Sequence, residues 1–371
     1  MSATEFWGVP QQDRRDMPEA NYEFDCCLAT SAPLTAGEGV MLADLGGGNY
    51  LRYLHRIRLA HEHLCSDSPV RRRCPVTHRA IDFRAFHHGV TSVIFRAVAI
   101  AFLCIRSAAA QEPVFDVHVH LRDGETSLRT YESDVAASKI KLAGLGAMWF
   151  GGPHQAPAGE PAKIRASNDA LIALAAKHPI VMPIATVHPY DGPAALEELT
   201  RVAGRSVKVL KIHPHTQRFD ASDPRVLALV NHAGSLGMVV LMDNANILPG
   251  DSERLFNLAV QAPKTKFIFA HMGAMNFRFW NILALARTAD GFFADNIYFD
   301  VSGTALVAAD SPIEQEFVWT LRNVGIDHVL MGSDYPQLPL GKMVDALERL
   351  GLTADETGKI LSGNARKLFG R

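Results

Sequence analysis

The sequence predicts a parallel (β/α)8 barrel over residues 111–371, and three observations carry that prediction. Short apolar runs rich in β-branched residues alternate with amphipathic stretches eight times. No Gly-x-Gly-x-x-Gly turn follows the first run, which disfavours a doubly wound open sheet. Polar residues able to do chemistry gather at the ends of the runs, the face where such barrels build active sites.

The elements follow in order. Strands are expected at 114–120, 144–150, 180–187, 206–213, 238–243, 266–271, 296–302 and 328–333, where apolar and β-branched residues concentrate. Helices are expected near 131–143, 163–178, 193–203, 224–236, 252–261, 276–288, 312–324 and 341–350, each with one apolar face. From Thr353 to Phe369 the chain reads as a closing helix, with Thr353 as N-cap and Glu356 three residues on.

Composition divides the chain. The 371 residues carry a net charge of −2, a balance that favours neither nucleic acid nor a membrane surface as partner. All five cysteines precede residue 110, and the first lysine is Lys139. Between Arg96 and Arg106 runs an apolar stretch, and Ser107-Ala108-Ala109-Ala110 follows it. A basic flank, a short apolar run and an Ala-x-Ala site describe a secretory signal, so residues 90–110 are expected to be cleaved after Ala110. A buried apolar helix is the competing reading. Residues 1–89 show no sustained helical or strand period and read as an upstream extension outside the working protein. The expectation is export to the periplasm or medium, or a cytoplasmic chain if the segment is no working signal. A cleaved chain has no cysteine and needs no disulfide.

The chemistry begins with Asp116-Val117-His118-Val119-His120. Histidines at i and i+2 of a strand point to one side, and imidazole is the commonest protein ligand for a transition metal. Asp116 shares that strand parity and is expected to orient the pair. Lys211 and His213 end the fourth expected strand, Asp243 the fifth, His271 the sixth, Asp300 the seventh and Asp334 the eighth. Charges gathered this way are costly to bury without partners. Asp300 and Ser302 read as hydrogen-bonding framework, His213 as pocket-lining and His215 as exposed. His154, His178, His188, His232 and His328 belong to no motif and read as surface or loop histidines.

Phe115-Asp116-Val117-His118-Val119-His120, Leu210-Lys211-Ile212-His213-Pro214, Phe269-Ala270-His271-Met272-Gly273, Tyr298-Phe299-Asp300-Val301-Ser302-Gly303, Gly332-Ser333-Asp334-Tyr335-Pro336 and Gly363-Asn364-Ala365-Arg366 together resemble the metal-dependent amidohydrolase superfamily. The likeness is strongest to its branch of decarboxylases and lactone hydrolases related to aminocarboxymuconate semialdehyde decarboxylase. It covers residues 113–370 and none of the first hundred. The resemblance implies that His118 and His120 ligate a divalent metal, that Asp334 is a further ligand handling the proton of activated water, and that His271 is a general acid/base or transition-state stabiliser.

One position departs from the pattern. The fifth strand of the family usually ends in a histidine ligand, and here Asp243 stands in its place. Either Asp243 completes the metal set, or the pocket works through Asp334, His271 and Lys211 without a firmly held ion. Lys211 itself is a substrate contact, a carbamylated bridging ligand or the ion-pair partner of Asp243. These residues imply a hydrolase that cleaves a carboxylic ester, lactone or amide with metal-activated water, zinc being the expected ion and manganese the other choice. A non-oxidative decarboxylase is the second reading, and an inactive ligand-binding barrel the third. The implied partner is a small-molecule substrate, with no membrane span in the mature chain and homodimerisation left open. Mass spectrometry of the product from an exporting host is expected to give an N-terminus near Gln111, and one far upstream would remove the signal-peptide reading.

Overall fold

A computed structural model describes residues 112–150 and 155–371. The upstream extension, the signal-like segment and His154 lie outside the described residues. Eight parallel strands follow chain order around one sheet. They are β1 (Val114–His120), β2 (Leu142–Met148), β3 (Val181–Thr186), β4 (Val209–Ile212), β5 (Val239–Met242), β6 (Lys266–Phe269), β7 (Ile297–Asp300) and β8 (Val329–Leu330). Helices between successive strands cover the outside, so the expected (β/α)8 barrel is the fold.

Several boundaries move. The first helix, α1 (Glu125–Ala137), starts six residues before its expected position, because Gly124 at φ 54° turns the chain into it directly after β1. The expected 131–143 overruns the turn at Ser138 and enters β2, whose edge pairs with β1 from Leu142. Three outer helices begin at proline, Pro161, Pro193 and Pro224, where the missing N–H costs nothing. The tail is a run of Ala354–Gly358, a π turn at Lys359–Gly363 and Asn364–Phe369, entered through the expected Thr353–Glu356 capping box.

That tail plugs the barrel. Phe369 lies 5.8 Å, centroid to centroid, from Phe115, and it packs with Val117, Ile184, Val209, Leu241, Ile268 and Leu330 in a buried layer drawn almost wholly from strands. Lys208 Nζ donates to the carbonyl of Phe369 at 2.6 Å and fixes the plug. The end of the barrel away from the strand termini is thereby filled, which leaves the opposite mouth open for chemistry.

β8 spans two residues, yet the seam with β1 is closed by backbone bonds beyond it. Val117 N donates to Met331 O at 2.9 Å, Asp334 N to His118 O at 2.8 Å, and His120 N to Tyr335 O at 2.8 Å. The pairing of β1 with β2 shifts register between Asp116 and Val119. Such an irregularity rotates the side chains that follow. Phe115 and Val117 pack in the inner layer, whereas Val119 and Leu121 pack outward with Leu128 and Tyr131.

Asp116 therefore does not share the orientation of His118, against the expectation from simple alternation. Its carboxylate accepts from Tyr131 Oη of α1 at 2.9 Å, from Ser333 N at 2.9 Å and from His118 N at 3.1 Å. It orients the histidine pair through the backbone and clamps the two sides of the seam together. Burial pushes its pKa up to about 6, against the lowering effect of these hydrogen bonds.

A carboxylate whose folded pKa lies above its unfolded value stabilises the fold below the unfolded pKa, and this contribution is lost as pH rises through the folded one. Asp116 should then cost ~3 kcal/mol at neutral pH relative to acid, since each tenfold change in proton affinity is worth ~1.4 kcal/mol. Asp116→Asn keeps an acceptor for both backbone donors and can reverse the Tyr131 bond. It should flatten the fall in melting temperature expected of the wild type between pH 4 and 6, and an unchanged profile would count against the assignment.

Candidate metal centre

The register shift that turns Asp116 outward turns His118 and His120 into the mouth. Their outer nitrogens are fixed by acceptors: His118 Nδ1 faces Asp300 Oδ2 at 3.1 Å, and His120 Nδ1 bonds the carbonyl of Phe150. Both Nδ1 atoms therefore carry the hydrogen, and both Nε2 atoms present lone pairs. His118 Nε2 and His120 Nε2 lie 3.3 Å apart, and each approaches Asp334 Oδ1, at 3.3 and 3.2 Å respectively. Burial lowers the pKa of His120, which keeps it neutral.

Three acceptors thus converge on one point, an arrangement that favours a bound cation. Two imidazole nitrogens and one carboxylate oxygen suit a divalent ion with open positions for water or substrate. The residues present fit the group that the sequence implied. Asp334 adopts φ 61°, an uncommon conformation for a residue with a side chain, and the bond from its N–H to His118 O holds it there. Burial alone would raise its pKa, but the surrounding imidazoles of His118, His271 and His120 outweigh this and hold it low.

Lys211 is fully buried beneath this cluster, with Nζ 3.4 Å from His118 Nε2. Burial depresses its pKa against the pull of Asp243, Asp334 and Asp300. The amine lies against the imidazole, and Asp243 acts on it through space.

His271 lies just past β6, in a turn where His271, Met272, Gly273 and Ala274 all have positive φ. Thr304 Oγ1 holds the His271 carbonyl at 2.5 Å, and Asp300 Oδ1 accepts from its N–H at 3.1 Å. Its ring faces acceptors on both sides. Nδ1 lies 3.0 Å from Ser302 O and 2.9 Å from Ser302 Oγ, whose own hydrogen goes to Asp300, and Nε2 lies 3.2 Å from Asp243 Oδ1. Burial would lower its pKa, but the bond to Asp243 and the charges of Asp300, Asp243 and Asp334 raise it to about 9. Ligand atoms of His118, His271 and Asp334 lie within 4.8 Å of one another, so the ring borders the ion position.

Asp243 is the partner of His271, and His213 Nε2 stands 3.6 Å from the same oxygen. Burial would raise its pKa, but the bond from His271 and the nearness of His213, His271 and Lys211 hold it far below the usual range. Asp300 is held low in the same way by His118, His271 and Ser302. Burial pushes His213 down to about 4.

Other histidines serve the framework. His215 is partly buried and paired with Asp251 at 2.9 Å, where exposure was expected. His188, read as a surface or loop residue, is 1% exposed and ties the loops together through Gln217 O and Tyr190 N. His178, His232 and His328 bond Glu125, Thr200 and Ile297 O.

Sequence reasoning missed Gly332 and Phe150 O. A Cβ at Gly332 would lie 3.0 Å from both Asp300 Cγ and His118 Cβ, so only glycine lets these two meet on the inner wall. Its place two residues before Asp334 was the available signal. Beside the cluster, an apolar cleft of ≈ 220 Å³ opens between His271, Ala245, Ala274, Met275, Val307 and Ile313.

A parallel eight-stranded barrel with such an acceptor cluster at its C-terminal mouth has the donor set that a divalent ion requires. The family model described as amidohydrolase matches residues 115–371, more than half of the chain, and the chain belongs to that family. No curated protein sequence matches it. Among solved structures, 2,6-dihydroxybenzoate decarboxylase from Rhizobium is 18% identical, with a TM-score of 0.54 over 70% of this chain and 99% of that one. A TIM-barrel protein of unassigned function from Bordetella bronchiseptica is 16% identical, with a TM-score of 0.56 over 70% of this chain and 100% of that one. The 5-carboxyvanillate decarboxylase of Novosphingobium aromaticivorans, solved with manganese and a nitrobenzoic acid, is 18% identical, with a TM-score of 0.51 over 65% of this chain and 80% of that one. Among the described residues, no helix is long and apolar enough to cross a membrane.

Elemental analysis after dialysis against zinc or manganese should find about one ion per chain in the wild type and in Asp243→Asn, and none in His118→Ala. Gly332→Ala should lose roughly 10–100-fold in ion affinity by displacing His118 and its Asp300 partner. Loss of the ion in Asp243→Asn would instead make that carboxylate a ligand.

Proposed function

We propose that this chain is a metal-dependent hydrolase that cleaves a carboxylic ester, lactone or amide of a small organic substrate. The convergence of two imidazole lone pairs and the Asp334 carboxylate on one point carries the reading. A divalent ion held by His118, His120 and Asp334 supplies Lewis acidity and makes water a nucleophile near neutral pH.

The side chains supply the rest. Asp334 lies low enough in pKa to be ionised, and its second oxygen can take a proton from attacking water. His271 is held as a cation by Asp243, and its Nε2 hydrogen, on leaving Asp243, can go to a leaving oxygen or nitrogen, with solvent water returning a proton to the ring afterwards. Lys211 places a buried amine at the floor, where it can meet developing negative charge. The cleft beside His271 holds the apolar part of the substrate.

Decarboxylation is the second reading, supported by the reactions named for the Rhizobium and Novosphingobium proteins. There the same proton donor would serve the carbon that loses carbon dioxide. The chain, stripped by chelator and reloaded with zinc or manganese, is expected to release acid from members of an ester, lactone and amide panel only when loaded. Asp334→Asn should lower kcat by roughly 10²–10⁴. Carbon dioxide from a hydroxybenzoate panel would move the assignment to the lyase, and no turnover with a bound ion would leave a binding protein.

A further inference from the structure

The apolar cleft of ≈ 220 Å³ beside the mouth shares one residue with the converging cluster, His271. Its apolar walls are Ala245 after β5, Ala274 and Met275 after β6, and Val307 and Ile313 after β7. The oxygens of the chain just past β7, which also lines it, are spent inside the fold. Ser302 Oγ donates to Asp300, Ser302 O faces Nδ1 of His271, and Thr304 Oγ1 donates to the carbonyl of His271. Gly303 O accepts from Val307 N. A polar atom entering the cleft would therefore give up water and meet no free partner except the imidazole.

Two large apolar side chains of this lining stand in water, Met275 at 58% and Val307 at 55% exposure. An occupant of the cleft would cover both, a gain that needs no polar contact. No aromatic ring other than the imidazole borders the space, so nothing there stacks on a flat group, and the unbranched thioether of Met275 adapts to a flexible chain. The volume holds a chain of roughly seven methylene-sized groups, taking the ~30 Å³ share of one water molecule for each. The ring on the cleft wall is also the ring whose Nε2 hydrogen goes to the leaving atom in the reaction proposed above. The part of the substrate beside the cleft is then the leaving group and not the acyl group.

We propose that this cleft is a leaving-group subsite for an unbranched alkyl group of roughly six to eight carbons, carried on an uncharged ester or N-alkyl amide. Water adds to the carbonyl carbon and yields a proton to Asp334. The bond from that carbon to the leaving oxygen or nitrogen breaks, and the Nε2 hydrogen of His271 caps the leaving atom. The products are a carboxylic acid and an alkyl alcohol or amine. This rests on the hydrolase reading, and the experiment separates the two.

Two series test it on the full chain: 1-butanol, 1-hexanol and 1-octanol titrated by calorimetry into metal-free protein, and the matching alkyl acetates offered to protein reloaded with manganese. The variants are Met275→Glu and Val307→Glu, alone and together, at exposed positions where a charge leaves the fold intact, which circular dichroism checks. Wild type is expected to gain roughly threefold in alcohol affinity and in kcat/KM for each added methylene. The double variant should bind 1-octanol at least roughly tenfold more weakly and bring the octyl-to-butyl ratio of kcat/KM close to unity. Alcohol affinity independent of chain length, or equal 1-octanol binding in wild type and double variant, overturns the subsite. Ester turnover without dependence on chain length also overturns it and leaves the hydrolase reading standing. Alcohol binding that grows with length, with no ester or amide cleaved, overturns the hydrolase reading and upholds the alkyl-chain site. A wild-type dimer in sedimentation that the double variant dissociates gives the cleft to a second copy of the chain and overturns the proposal.

Discussion

The closure of the barrel between β1 and the segment after β8 is the constraint on which the rest of the molecule depends. Its backbone bonds run from Val117 to Met331, from Asp334 to His118 and from His120 to Tyr335. The residues that close the sheet are the residues that carry the cluster, so the site is as rigid as the seam. A slip of one residue would reverse every side chain between core and mouth. Asp116 prevents it by accepting N–H groups from both sides of the seam while Tyr131 anchors it to the helix layer. Gly332 supplies the space that lets His118 and Asp300 sit face to face.

Four carboxylates, Asp116, Asp243, Asp300 and Asp334, lie within this small volume and behave differently because their neighbours differ. Asp116 meets only hydrogen-bond donors without formal charge, and desolvation prevails. Asp300 and Asp243 touch imidazoles, and Coulomb attraction overcomes the same desolvation. The consequence is a division of labour: one carboxylate locks the backbone, two fix the rings of His118 and His271, and only Asp334 turns an oxygen toward the converging lone pairs. Lys211 and His213 are pushed toward neutrality by burial, which limits positive charge around the ion position.

Much of this was legible in the chain. Alternating apolar runs gave eight strands in order, because each inner-wall residue must be apolar or chemically employed. His118, His120, His271, Asp300 and Asp334, which the structure brings together, stood out because their types are expensive at strand ends without a function. The facing of Asp116, though not its orienting role, was misread because one register shift defeats a period of two, and no local signal marks it. β8 was expected to run to 333 and has two ladder residues, since its continuation bonds β1 through Asp334 at positive φ. His188 and His215 looked idle because their partners, Gln217 and Asp251, come from loops whose approach depends on the assembled barrel.

The substitution at the fifth strand changes character in this light. A histidine at position 243 would add a lone pair to the convergence, whereas an aspartate adds a negative charge that claims the Nε2 hydrogen of His271. The ring cannot give that nitrogen both to Asp243 and to an ion. Its other nitrogen is already occupied by Ser302. The geometry therefore holds two clusters apart: the converging donors of His118, His120 and Asp334, and the neighbouring ion pair of His271 and Asp243. On the proposed function, this separation gives an ion fewer protein donors and sets a charged acid beside it, an arrangement suited to a reaction that needs both a polarised carbonyl and a delivered proton.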